Sequence, residues 1–183
     1  YDGPDFTPRW TSTVAHTIGD FALVTQTGEP LTRDDLIGRP HVASFFFTTC
    51  GDVCPLVVSQ LSHLQAAIQD RYDVLLVSYS VTPEVDTPEV LSDFVAGHGI
   101  DAEAWQLVTG EAETIYELAR ESYFADDGRL GTDMSADALF LHTEKMLLVD
   151  AEGRLRGINN GTLPYETAPY ISGCFCGTLG TAG

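Results

Sequence analysis

Positive charge is scarce in this sequence of 183 residues. Nine lysine and arginine residues face 27 aspartate and glutamate residues, which gives a formal net charge of −18, and Lys145 is the sole lysine. A surface of this sign repels phosphate backbones and anionic lipid headgroups, so we expect no nucleic-acid binding. The acidic residues are scattered along the chain, which is typical of a solvated surface, although such a surface can also attract a cationic protein.

Long apolar runs are absent as well. No stretch of 18 or more consecutive apolar residues occurs, so the sequence predicts no membrane-spanning helix. The chain begins at Tyr1 and not at methionine. We therefore expect any membrane attachment to come only from an N-terminal signal or anchor that has been removed.

Cysteine is also sparse, with four residues in two close pairs. A chain of this length can bury a full hydrophobic core and needs no disulfide scaffold. The pairs are Cys50 with Cys54 and Cys174 with Cys176. Close pairing indicates metal or redox chemistry more than the joining of distant segments.

The apolar pattern predicts an α/β domain of thioredoxin-like architecture, with a central mixed sheet, mostly of parallel strands, flanked by helices. An N-terminal β-hairpin addition is expected at residues 21–38, on the sheet edge. The expected core elements are strands at 41–47, 73–81 and 105–108, helices at 54–68, 87–99 and 111–122, and a hairpin at 145–158. A loop at 126–137 and a short closing helix at 165–171 complete the pattern.

One domain is predicted, at residues 18–172, because no linker divides the chain. Residues 1–17 are expected to form an irregular lead-in, and residues 173–183 a Gly-rich tail. In the helix at 54–68, five apolar residues at helical spacing are expected to face the core: Leu56, Val57, Leu61, Leu64 and Ile68.

Cys50 and Cys54 lie where a predicted buried strand gives way to a helix. Sites in α/β sheets form at the carboxyl ends of strands, and a helix start favours the thiolate form of a nearby cysteine. If the segment is helical, residues four apart have Cβ atoms roughly 5–6 Å apart. That separation lets both sulfurs reach one metal ion, and after a slight adjustment it also permits a disulfide. The spacing alone does not decide between these roles.

His142 precedes the predicted strand at 145–150, and in a thioredoxin-like sheet that loop faces the start of the cysteine-bearing helix. Two thiolates and one imidazole suit Cu(I), and they can also hold Cu(II). Zinc would normally need a fourth ligand. The residues therefore predict a copper site formed by Cys50, Cys54 and His142. The alternatives are a structural disulfide or buried thiols for the cysteines, and an ordinary loop residue for the histidine.

Cys174 and Cys176 are too close for an easy disulfide but can chelate a soft metal. They predict a possible second copper site or a relay thiol pair; the alternatives are an incidental pair or a bridge to another molecule. The remaining histidines are interpreted as ordinary residues and not as ligands: His16, His41, His63 and His98.

Three segments resemble the Sco/SenC copper-chaperone family. They are FFFTTCGDVCP at 45–55, SVTPEVDTP at 80–88 and LHTEKMLLVD at 141–150, and the similarity extends over about residues 18–163. Thr82 and Thr143 depart from the family pattern, which often has Asp and Ser there. The cysteine pair near the C-terminus is also outside that pattern.

The resemblance implies a thioredoxin-like fold, usually tethered outside the cytoplasmic membrane, in the periplasm or on the outer face. It implies copper binding by Cys50, Cys54 and His142. It also implies a role in building the dinuclear copper centre of cytochrome c oxidase, by copper transfer, by reduction of that centre's cysteines, or by both. The expected partner is the subunit with that centre or another copper or thiol protein.

Two other functions fit the same residues. We do not expect a classical enzyme, although thiol–disulfide oxidoreductase activity fits the cysteine pair. A thiol–disulfide oxidoreductase would cycle Cys50 and Cys54 between dithiol and disulfide, and would need no histidine ligand. A copper or redox sensor would bind a partner only when loaded. The sequence does not separate sensing from delivery.

Overall fold

The computed structural model of the protein describes residues 16–49, 51, 54–68, 73–125 and 145–161, and these contain a seven-stranded mixed sheet. The strands are β1 Ala22–Thr25, β2 Pro30–Thr32, β3 His41–Phe46, β4 Leu75–Ser80, β5 Trp105–Thr109, β6 Lys145–Val149 and β7 Leu155–Asn160. The helices are α1 Arg33–Leu36, α2 Cys54–Ile68, α3 Pro88–His98 and α4 Ala112–Glu117.

The strand order is β2-β1-β5-β4-β3-β6-β7. Strand β3 pairs in parallel with β4, and β4 with β5, whereas every other pairing in the sheet is antiparallel. This arrangement confirms the predicted edge hairpin, which is β1–β2, and the predicted closing hairpin, which is β6–β7. The expectation of mostly parallel strands was wrong, because both hairpins join the parallel strands through antiparallel pairings. The parallel strands are buried on both faces, which explains their continuous apolar sequences.

The two faces of the sheet carry separate hydrophobic clusters, because successive side chains of a strand point to opposite faces. On β3, Ala43 and Phe45 join the cluster on the side of α4, and Val42 and Phe46 join the cluster on the side of α2 and α3. Buried residues of α2 at helical spacing complete the second cluster: Val57, Val58, Leu61, Leu64 and Ile68.

Leu56 corrects one prediction for α2. It was expected to face the core, but its side chain is 54% exposed. The buried stripe runs through Val57, Leu61 and Leu64, and Leu56 lies about 100° away from Val57 around the helix axis. Apolar spacing alone did not distinguish these neighbouring positions.

The expected helix at 111–122 is α-helical only as far as Glu117, and Leu118–Ser122 form a π-helical turn. The wider turn allows Leu118, Ala119 and the following Tyr123 all to be buried. Helix α3 follows its prediction closely: the Thr87 side chain accepts a hydrogen bond from the Val90 amide. The predicted loop at 126–137 and helix at 165–171 lie outside the described residues.

Candidate functional site

Cys54 is the first residue of α2, and it is a predicted ligand that the structure describes. Its half-buried side chain packs against the hydrophobic cluster between α2 and the sheet. Leu61 and Leu64 of the same helix are buried in that cluster. The position of Cys54 is therefore set by the packing of α2.

The other predicted ligands lie outside the described residues: Cys50, His142, Cys174 and Cys176. Two chain neighbours of Cys50 are described, namely Thr49 and an exposed Gly51. Within the described part of the chain, no group of three or more His, Cys, Asp or Glu side chains could hold a metal ion.

Strand β6 begins at the end of the sheet where β3 finishes, because the two strands are antiparallel. Ala43 lies opposite Leu147, and counting along both strands puts Lys145 level with Phe45. The Lys145 ammonium group donates hydrogen bonds to the carbonyl oxygens of Phe124 (3.4 Å) and Ala125 (3.3 Å). The first residue of β6 is therefore held at the same end of the sheet as Cys54.

A buried carboxylate joins the two loops at this end of the sheet. Asp86 is 0% exposed and accepts hydrogen bonds from the hydroxyls of Ser80 (2.5 Å) and Thr82 (3.2 Å). Thr48, which follows β3, donates its backbone N–H to Oδ2 of the same carboxylate (3.1 Å) and its hydroxyl to Oδ1. We call these four residues, Asp86, Thr48, Ser80 and Thr82, the aspartate clamp.

Tyr116 also holds the β4–α3 loop. Its hydroxyl donates a 2.7 Å hydrogen bond to the carbonyl oxygen of Val81. Partial burial raises the pKa of Tyr116, the charge of Glu84 adds to the effect, and Arg120 opposes it. The phenol therefore stays protonated and remains a donor at neutral pH.

A second cluster of buried polar side chains lies within the core, on the α4 side of the sheet. His41 Nε2 is hydrogen-bonded to the Tyr123 hydroxyl (3.1 Å), which is hydrogen-bonded to the Tyr79 hydroxyl (3.1 Å). Burial lowers the pKa of His41 to about 4, against smaller opposing effects of the Arg39 carbonyl and the Asp150 charge. We call His41, Tyr79 and Tyr123 the histidine–tyrosine cluster.

Two further histidines are hydrogen-bonded to backbone carbonyl groups, one across the fold and one within its own helix. The His16 ring donates to the Ser122 carbonyl oxygen (2.8 Å), and the His98 ring donates to the Phe94 carbonyl oxygen (2.9 Å). His63 is exposed on α2. His98 also ends α3, as its neighbouring glycines predicted.

The sequence did not predict the role of Asp86 as a shared hydrogen-bond acceptor, although the segment at 80–88 resembles a family motif. Asp86 precedes Thr87 and Pro88, and this sequence was interpreted as a helix start. Two hydroxyl residues, Thr48 and Thr82, follow the adjacent parallel strands β3 and β4. They could have indicated a shared polar site, because the carboxyl ends of such strands meet at one edge of the sheet. Only the fold shows that one carboxylate collects these hydroxyls.

Comparison with known proteins identifies the family. The family model described as SCO1/SenC matches residues 10–169. The chain belongs to the SCO1/SenC family. Membership confirms the resemblance that the cysteine and histidine motifs predicted.

Individual SCO1/SenC proteins are similar over most of the chain. The SCO1 protein homolog of Bacillus subtilis (strain 168) is 28% identical over 152 residues, which are 82% of this chain and 75% of that protein. The structure of a SCO1/SenC family lipoprotein from Bacillus anthracis str. Ames has a TM-score of 0.73 at 28% identity, covering 86% of this chain and 92% of that one. These similarities confirm the thioredoxin-like fold.

A further solved structure is that of Bradyrhizobium japonicum ScoI with copper bound. It has a TM-score of 0.61 at 26% identity, covering 85% of this chain and 98% of that one. Among the described helices of the present chain, none has the length and apolar character needed to span a bilayer.

Proposed function

We propose that this SCO1/SenC protein binds one copper ion through Cys50, Cys54 and His142. We further propose that it serves the dinuclear copper centre of cytochrome c oxidase, by delivering copper or by reducing that centre's cysteines. The observation that carries the proposal is the meeting of two chain segments at one end of the sheet. Cys54 begins α2 there, and β6 starts there at Lys145.

The covalent chain supports a site at this end. Cys50 is bonded to Thr49 and Gly51, which belong to the connection between β3 and α2. His142 is three residues before Lys145, and three residues of extended chain span at most about 11 Å. Short covalent segments therefore join both remaining donors to described residues at the end of the sheet where Cys54 lies.

The chemistry of the donor set supports copper. Thiolates select soft metal ions, and imidazole also suits copper, so three such donors form a site for Cu(I) that can also hold Cu(II). Copper is the cargo in this proposal and not a resident cofactor. The copper-bound ScoI structure supports the assignment for a chain of the same family.

The family also supports a location outside the cytoplasm. The similar protein from Bacillus anthracis is described as a lipoprotein. We propose that the present domain works in the periplasm or on the outer face of the cytoplasmic membrane, tethered through a segment that precedes Tyr1. Cell fractionation of the full-length gene product should find it in the membrane fraction, exposed to added protease on the outer side.

Titration of the reduced protein with Cu(I) tests the proposed ligands. We expect one copper ion per chain, near-complete loss of tight binding in Cys54→Ser, and weaker binding in His142→Ala. His63→Ala is the matched control because His63 is exposed on the same helix as Cys54. Equal Cu(I) affinity of His142→Ala and the wild-type protein would remove His142 from the site.

A thiol–disulfide oxidoreductase is the second candidate function. It is favoured by the position of Cys54 at the first residue of a 15-residue helix, where the helix dipole stabilises a thiolate. The reduction potential of the Cys50–Cys54 pair and its rate with a small disulfide substrate test this function. A negligible rate would reject it and leave copper binding as the role of the pair.

A further inference from the structure

The aspartate clamp places a carboxylate where the chain leaves the sheet. Burying a carboxylate is costly unless its oxygens are fully hydrogen-bonded. No ion pair joins Asp86 to a lysine or arginine among residues 16–49, 51, 54–68, 73–125 and 145–161, so hydrogen bonds alone compensate its charge there. Three of its donors are hydroxyl groups and the fourth is the backbone N–H of Thr48.

The clamp also replaces a backbone hydrogen bond of the sheet. The β3–β4 ladder continues to the bond in which Val81 N–H donates to Phe46 O (2.9 Å). In a regular parallel pair, the next bond would join Thr48 N–H to Val81 O. Instead, Val81 O accepts from the Tyr116 hydroxyl, and Thr48 N–H donates to Asp86. The carboxylate therefore replaces Val81 O as the acceptor for Thr48 N–H, and the β3–β4 ladder ends at this point.

The two described ends of the connection between β3 and α2, Thr48 and Cys54, differ in what anchors them. Cys54 is the first residue of α2 and packs against the apolar cluster between α2 and the sheet. Cys50 follows Thr48 by two residues in the sequence. The connection that carries Cys50 is anchored on its β3 side by the hydrogen bonds from Thr48 to Asp86.

We propose that Asp86 is a positioning residue for the cysteine pair: through Thr48 it sets the position of Cys50 relative to Cys54. This inference rests on the proposed copper function, because its predicted effect is a change in copper binding. The anchoring of Thr48 can be tested without copper. Asp86 acts through hydrogen bonds and is not itself a ligand. Ser80 and Thr82 hold the carboxylate in the orientation that accepts from Thr48.

Two substitutions at Asp86 separate hydrogen bonding from charge. Asp86→Ala leaves Thr48 N–H without its acceptor. In Asp86→Asn, the remaining carbonyl oxygen can take the place of Oδ2 and accept from its three donors. The new NH₂ group takes the place of Oδ1 and can donate to the Thr48 hydroxyl, which can rotate to accept. We expect Asp86→Ala to lower Cu(I) affinity about 10-fold or more, and Asp86→Asn to stay within about threefold of the wild-type protein.

Ser44→Ala is the matched control. Ser44 is a buried residue of β3 whose hydroxyl is hydrogen-bonded to Ser78 (2.8 Å), which also accepts from the Trp105 indole (2.9 Å). The substitution removes a buried hydrogen bond from the same strand without touching the clamp. We expect Ser44→Ala to lower thermal stability but to leave Cu(I) affinity and the reduction potential of the cysteine pair unchanged.

Amide hydrogen exchange of Thr48 gives a readout that does not depend on copper. Exchange at Thr48 should be at least about 10-fold faster in Asp86→Ala than in Ser44→Ala, and close to wild-type in Asp86→Asn. Unchanged exchange in Asp86→Ala would overturn the anchoring. Wild-type Cu(I) affinity in Asp86→Ala, or an equal loss in Asp86→Asn, would overturn positioning through hydrogen bonds. Failure of the wild-type protein to bind copper would instead overturn the proposed function, and the exchange data would still test the anchor.

Discussion

The two ends of β3 carry buried polar groups of different kinds. The histidine–tyrosine cluster begins at His41, the first residue of the strand, and its neutral side chains bond to one another inside the core. The aspartate clamp begins at Thr48, two residues after the strand ends, and its charged member joins two loops. The first group completes the core, whereas the second anchors Thr48, which precedes the predicted ligand Cys50 by two residues.

Removing the charged member of the clamp should have the largest effect on stability. Asp86→Ala leaves a buried N–H and several hydroxyls without their acceptor, so we expect the free energy of unfolding to fall by about 3 kcal/mol. Urea unfolding monitored by tryptophan fluorescence measures the change. A loss below about 1 kcal/mol would show that water replaces the carboxylate easily and that the clamp is not a rigid anchor.

The histidine–tyrosine cluster should make the fold sensitive to acid. The pKa of His41 is lowered to about 4 in the folded protein, from an ordinary value of 6.5, so the unfolded chain binds the proton more readily between these values. Stability is therefore lost as the pH falls below 6.5, by about 2 kcal/mol between pH 7.5 and pH 5.

Urea unfolding of wild-type and His41→Gln proteins at both pH values measures this contribution. The glutamine variant does not titrate in this range, so its stability should change less between pH 7.5 and pH 5. Parallel behaviour of the two proteins would mean that His41 is not the source of the acid sensitivity.

Tyr123→Phe should produce the smallest of these effects on stability, and it tests whether the histidine–tyrosine cluster, unlike the aspartate clamp, leaves copper binding unaffected. The substitution removes the hydroxyl that joins His41 to Tyr79, and we expect a loss of about 1 kcal/mol in the free energy of unfolding. Cu(I) affinity should stay at the wild-type value. A copper affinity as low as that of Asp86→Ala would show that the core cluster also positions the site.

The features that were predictable from the sequence depend on local chemistry. Helix α2 begins at Cys54 and ends at Ile68, as predicted. Both ends were predictable because Pro55 suits the first turn and the apolar spacing continues to Ile68. Gly99 ends α3 in the left-handed conformation, at φ 62°, which favours glycine. The buried strand at His41 was likewise evident from its continuous apolar run.

The features that were missed depend on tertiary contacts. Thr48 and Asp86 are 38 residues apart, and no local pattern pairs a hydroxyl after one strand with a carboxylate before a helix. The π-helical turn at Leu118–Ser122 precedes Tyr123, whose hydroxyl is hydrogen-bonded to Tyr79 in the core, and helix periodicity does not report such contacts. Leu56 was wrongly expected to be buried, because the sequence does not show which of two neighbouring apolar residues, Leu56 or Val57, faces the core.

We propose that a histidine distant in sequence from the cysteines completes the copper site, and pulsed electron paramagnetic resonance of the Cu(II)-loaded protein measures this coordination. We expect an imidazole nitrogen coupled to the copper electron in wild-type and His63→Ala proteins, and its disappearance in His142→Ala. Persistence of the same nitrogen signal in His142→Ala would show that another residue is the ligand and that His142 does not complete the site.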